Sequence, residues 1–68
     1  MVVLVNGEPR ELADGLTVSA LISAFHPSPG GRGVAVALDG EVVSRGAWAA
    51  TELHEGSRVE IVVAVQGG

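Results

Sequence analysis

The sequence predicts an α+β domain, a mixed sheet of four to five strands packed on one helix. Three observations lead there. A stretch of helical period, Val18–Phe25, interrupts a chain otherwise patterned as short strands. Turn dipeptides of the hairpin type, Asn6-Gly7 and Asp39-Gly40, lie before and after it. A last strand-like apolar run, residues 58–65, leads directly into the final three residues.

Residues 1–6 begin the chain as a strand, with β-branched Val at positions 2, 3 and 5. Asn6-Gly7 suits a type I′ turn because both residues tolerate positive φ. Residues 8–12 then return as a second strand, and Pro9, which has no N–H to donate, restricts it to a sheet edge or a strand start. Asp14-Gly15 turns the chain again. Val18, Leu21, Ile22 and Phe25 fall at i, i+3, i+4 and i+7, one apolar face of a helix. Thr17 is positioned to cap that helix by accepting from a free N–H of its first turn. Pro27 ends it by disfavouring helical geometry at His26. Residues 26–33, HPSPGGRG, form a loop by composition.

The wholly apolar stretch Val34–Leu38 predicts a third strand, and Asp39-Gly40 turns it into a short fourth at Glu41–Val43. Residues 44–53 read as an irregular crossover with Trp48 as a plug in the core. Glu55-Gly56 makes the last turn. In the final strand, alternation puts Val59, Ile61, Val63 and Val65 on one face and Arg58, Glu60, Val62 and Ala64 on the other. Two strands, a helix, two strands and a last strand describe a β-grasp (ubiquitin-like) sheet holding one helix. Its hydrophobic final strand would sit centrally, beside the first. An all-β barrel conflicts with four apolar residues at helical spacing. The expected organisation is one domain over residues 1–65 and a flexible tail over 66–68.

Composition narrows the function. A chain of 68 residues holds one core and no internal catalytic cleft. Its apolar runs are far shorter than the roughly 20 residues of a membrane span, and its first residues lack the basic leader and apolar stretch of a signal peptide. Cysteine is absent, which excludes disulfides, thiolate metal sites and a cysteine nucleophile. A cytoplasmic protein with no membrane partner is the simplest expectation. Eight acidic residues against four arginines give a net charge of −4, and Phe25 and Trp48 are the only aromatics, so nucleic acid is not an expected partner. Lysine is absent too. Both a high-GC genome and avoidance of amines near an activated carboxyl group would produce that.

No catalytic or metal constellation stands out. His26 and His54 have no spacing that pairs them on a metal and read as exposed surface histidines. Asp39 belongs to a turn and Glu41 to the strand after it, so both read as structural or solvated. Ser19, Ser23 and Thr17 are small polar positions of the helix. Gly30-Gly31-Arg32-Gly33 lacks the preceding strand, following helix and Lys-Ser/Thr of a phosphate loop.

What remains is the ending Gln66-Gly67-Gly68. A di-glycine has no Cβ and can thread a narrow channel, so that the Gly68 carboxylate reaches an active site on another protein. Gly67 and Gln66 are then the threading residues. With one sheet face under the helix, Arg58, Glu60, Val62 and Ala64 should lie on the open face, apolar residues rimmed by charge, as a partner-docking surface. The tail itself offers nothing apolar to bury and should be mobile in the free protein.

The chain resembles the ThiS family of thiamine-biosynthesis sulfur carriers, small ubiquitin-like β-grasp proteins. The resemblance runs through Val5-Asn6-Gly7-Glu8-Pro9, Leu16-Thr17-Val18, the third strand with Asp39-Gly40, Val43-Ser44-Arg45 before Trp48, Leu53-His54-Glu55-Gly56 and Val59-Glu60-Ile61. Its most specific element is Ala64-Val65-Gln66-Gly67-Gly68. The 26–33 loop is richer in Pro and Gly than that pattern. The resemblance implies that an E1-like adenylyltransferase of the ThiF type consumes ATP to adenylate the Gly68 carboxylate. A persulfide sulfur donor then leaves a thiocarboxylate, whose sulfur a thiazole synthase of the ThiG type builds into the thiazole ring of thiamine. The chain is thereby a carrier and co-substrate, not an enzyme, and binds no cofactor. A carrier for molybdopterin or amino-acid biosynthesis, and a ubiquitin-like protein modifier, are the alternatives.

Overall fold

Short-range signals in the sequence become a five-stranded sheet in the computed structural model, which describes residues 1–26 and 32–64. Its strands are β1 (Val2–Val5), β2 (Glu8–Glu11), β3 (Val34–Leu38), β4 (Glu41–Val43) and β5 (Arg58–Val63). The helix α1 spans Val18–Phe25, and a 3₁₀ helix spans Arg45–Ala50. The strand order is β2-β1-β5-β3-β4. The β1–β5 pair is parallel, with Val5 opposite Val59, and the other pairs are antiparallel. Parallel neighbours cannot be joined by a hairpin, so the rest of the fold lies between the first strand and the last. This mixed sheet with one helix is the expected α+β, β-grasp architecture, and β5 sits at its centre.

The turns follow from residue type. Asn6 (φ 50°) and Gly7 (φ 82°) close the β1–β2 hairpin with both φ positive, as a type I′ turn requires. Pro9 lies on β2, an edge strand. It faces Leu4 between the pairs that carry the ladder bonds, so its missing N–H costs the sheet nothing. At the other hairpin, Asp39 does more than turn the chain. The Arg58 N–H donates to its Oδ1 at 2.9 Å, and its own N–H donates to the Arg58 carbonyl at 2.8 Å. The hairpin tip is thereby pinned to the start of β5. Beside β1, the α-amino group of Met1 hydrogen-bonds Asp14 at 3.1 Å. That bond raises its pKa above 8.0 against the opposing effect of desolvation, with Asp14, Glu11 and Glu55 adding favourable charge.

Thr17 caps α1 through its hydroxyl, which accepts from the Ala20 N–H at 3.2 Å. Val18, Leu21 and Ile22 carry the helix into a core shared with Val3, Val5, Val34, Val36, Val59, Trp48 and Leu53. Burying a side chain of that size stabilises by about 1.5–3 kcal/mol. Trp48 plugs this core and satisfies its polar edge, Nε1 donating to the Val43 carbonyl at 3.0 Å.

Four expectations need correction. Phe25, at the fourth position of the apolar face, is 40% exposed. It ends the helix, and its ring carries the guanidinium of Arg10 5.3 Å from its centroid. Val63, assigned to the buried face of the last strand, is 43% exposed. The pairing explains this: β1 ends opposite Val59, so no strand flanks Val63 on that side. Residues 44–53 are more regular than predicted, holding the 3₁₀ helix and a bridge from Thr17 to Glu52. His54 is exposed as expected, but His26 is half-buried at the helix C-cap, its N–H donating to the Ile22 carbonyl.

Candidate functional site

Gln66, Gly67 and Gly68, the residues expected to carry the chemistry, lie outside the described residues, as does Val65. The structure describes what they hang from. Backbone groups of β5 point alternately to its two neighbours. Toward β3, the Ala64 N–H donates to the Gly33 carbonyl at 2.7 Å, continuing the ladder one residue past the strand. Toward β1, the Asn6 N–H donates to the Val59 carbonyl at 2.8 Å, and there the backbone of β1 turns away.

The Asn6 side chain takes over at that point. The Ile61 N–H donates to Asn6 Oδ1 at 2.8 Å, and Asn6 Nδ2 donates to the Ile61 carbonyl at 3.3 Å. A carboxamide presents an acceptor oxygen and a donor NH2 side by side, like the groups of a peptide, so it extends β1 by one position without more chain. Read in the sequence as a turn residue alone, Asn6 also holds β5 two residues beyond the end of its parallel neighbour. It thereby steadies the segment that leads to the tail.

Arg58, Glu60, Val62 and Ala64 are all exposed, and they share the sheet face opposite α1 as predicted. Val62 is 63% exposed and pairs with exposed Ala35 on β3. Val42 on β4 is 82% exposed, and its partner Ala37 is opposite Glu60. The four residues of β5 are therefore one column of a wider surface that includes Ala35, Ala37 and Val42. Sequence reasoning missed those three. The signal was present at Val42, since alternation along Glu41-Val42-Val43 must turn one of the two valines outward.

Two shallow recesses flank the column. One, of about 500 Å³, is lined by Leu4, Asn6, Gly7, Arg58, Val59 and Glu60. The other, of about 260 Å³, lies at the tail end and is lined by Gly33, Val34, Ala35, Arg45, Val62 and Ala64. Both are open to solvent, and neither has the enclosed, converging polar groups of a small-molecule site. Among the described residues, no group of three or more His, Asp or Glu could hold a metal ion, and no helix is long and apolar enough to cross a membrane.

The ThiS family profile matches residues 3–68. A crystal structure of a thiamine biosynthesis protein (ThiS) from Geobacter metallireducens is 37% identical, with all of both chains covered and a TM-score of 0.82. An NMR solution structure of a thiamine biosynthesis protein from the same organism gives the same identity and TM-score, covering all of this chain and 88% of that one. No curated protein matches. By the family match over nearly its whole length, joined to a β-grasp sheet superposable on those structures, this chain belongs to the ThiS family.

Proposed function

We propose that this chain, a small sulfur carrier of thiamine biosynthesis, carries sulfur on its own C-terminal carboxyl group. The observation that supports this most is that the family match extends through Gly68. It takes in the di-glycine and its root on the central strand. A carboxylate is a poor electrophile and needs activation. An E1-like adenylyltransferase of the ThiF type joins the Gly68 carboxylate to the α-phosphate of ATP and releases pyrophosphate. The terminal sulfur of a persulfide attacks the acyl carbon and AMP leaves. A thiol then reduces the S–S bond so formed, leaving the thiocarboxylate. Ionised at neutral pH, this group is a soft nucleophile by the same logic as a thiolate. A ThiG-type thiazole synthase is the acceptor. The chain supplies the reacting carboxylate and a docking surface, while the enzymes supply the catalytic groups.

Arg58, Glu60, Val62 and Ala64 are the centre of that docking surface, and Gln66 and Gly67 thread the enzyme's channel. The test is intact-protein mass spectrometry after incubation with the adenylyltransferase, ATP and a sulfide source. The expected product is heavier by the replacement of one oxygen with sulfur. Deleting Gly68 should abolish it with no change in folding. Gly67→Val should lose adenylation at unchanged melting temperature, because a β-branched side chain obstructs the channel and restricts the backbone. Sulfur transfer that survives deletion of Gly68 excludes the proposal.

A further inference from the structure

Arg45 stands out among the charged residues near the tail. It opens the 3₁₀ helix, is exposed, and forms no ion pair among the described residues. Of the other arginines, Arg32 is exposed beside Gly33 and has a partner of its own. Arg10 lies 4.0 Å from Glu8 and over the Phe25 ring, and Arg58 shares its column and its recess with Glu60. Among the described residues, the recess around Arg45 is lined by Gly33, Val34, Ala35, Val62 and Ala64, none of them a carboxylate. In a chain with twice as many acidic as basic residues, the Arg45 guanidinium among these apolar residues is a local reversal of sign. Ala64, in the same recess, stands two residues before Gln66 in the sequence.

We propose that Arg45 is a docking residue, and that its recess receives an acidic side chain of the adenylyltransferase, presented on an apolar segment that packs on Val62, Ala35 and Ala64. The inference rests on the sulfur-carrier reading above. The planar guanidinium suits a carboxylate, which it can bind through two parallel hydrogen bonds. An apolar segment packed on Val62, Ala35 and Ala64 would partly shield that pair from water and strengthen it relative to a fully exposed one. In a protein of net charge −4, the positive charge of Arg45 also orients the encounter with an acidic site on the partner.

The experiment measures ATP–pyrophosphate exchange by the adenylyltransferase with the full chain as substrate, over a range of sodium chloride concentrations. Arg45→Gln should lower kcat/KM about tenfold at low salt through KM, as close interfacial charge pairs do. Its deficit should shrink as salt screens the wild-type attraction. Arg45→Lys should keep part of the activity, Arg10→Gln on the opposite sheet face should match wild type, and the melting temperature of Arg45→Gln should be unchanged. An Arg45→Gln chain that matches wild type, or whose deficit is independent of salt, overturns the assignment and leaves the carrier function standing. A shift of the Arg45 Nε–H resonance on deleting Gly68 from the free chain would place this protein's own carboxylate in the recess and also overturn it. A wild-type chain that supports no exchange at all removes the carrier reading, and this inference with it.

Discussion

On the helix-covered face of the sheet, Val3, Val5, Val36 and Val59 are buried, whereas on the opposite face Val2, Val42 and Val62 are 39%, 82% and 63% exposed. The residue type is the same, and β1 and β5 contribute to both faces. What differs is the layer above: α1 and Trp48 close one face, and nothing among the described residues closes the other. Full burial of such a side chain contributes about 1.5–3 kcal/mol, and each of these valines forgoes a part of it set by its exposure. The inner face is therefore where stability resides, and the outer face is an apolar surface that the described residues leave open. The strand β5 belongs to both, alternating between them residue by residue.

The sharpest way to break this comparison is to damage the inner face alone. Leu21→Ala empties a fully buried position of α1 and should cost about 2–5 kcal/mol by urea unfolding. The molecules that remain folded should still be adenylated at the wild-type rate. If adenylation by the folded fraction collapses as well, the two faces are not separable.

Asn6→Ala acts on the boundary. It removes both side-chain hydrogen bonds to Ile61 and puts alanine at a φ of 50°, for an expected loss of about 1–3 kcal/mol. Amide hydrogen exchange at Ile61 should accelerate more than exchange at Val59, which keeps its strand neighbour. Equal protection at both sites would show that the Asn6 bridge adds nothing to β5.

Val62→Asp tests the outer face. Its stability cost should be about 1 kcal/mol or less, the span of strand propensity at an exposed site, while affinity for the adenylyltransferase, measured by calorimetry, should fall. Unfolding of this variant would reverse the face assignment.

Phe25→Ala should have the smallest effect, about 1 kcal/mol, since the residue is 40% exposed and its main partner is the Arg10 cation. A loss as large as that of Leu21→Ala would place the ring in the core after all.

Much of the fold was legible because its signals are short in range. The period of Val18, Leu21 and Ile22, the Thr17 cap and the Asn6-Gly7 and Asp39-Gly40 turns each depend on residues a few positions apart. The alternation along β5 correctly separated Arg58, Glu60, Val62 and Ala64 from Val59. It could not say where the core stops. Phe25 and Val63 fit their periodic patterns, yet both are more than a third exposed. Periodicity shows which way a side chain points, and only its neighbours show whether anything covers it.

The same division holds for the candidate site. The sequence by itself determined the di-glycine ending, the apolar strand before it and the acidic charge balance. Only the tertiary structure could decide that Asn6 pairs with Ile61, 55 residues away, that Val42 and Ala35 widen the β5 column, and that Arg45 closes a recess against Val62 and Ala64. Turns and helix caps are stabilised by neighbours along the chain, so residue order reveals them. Surfaces are assembled from strands that are adjacent in the sheet but remote in sequence, and in β2-β1-β5-β3-β4 the central strand is the last one formed by the chain.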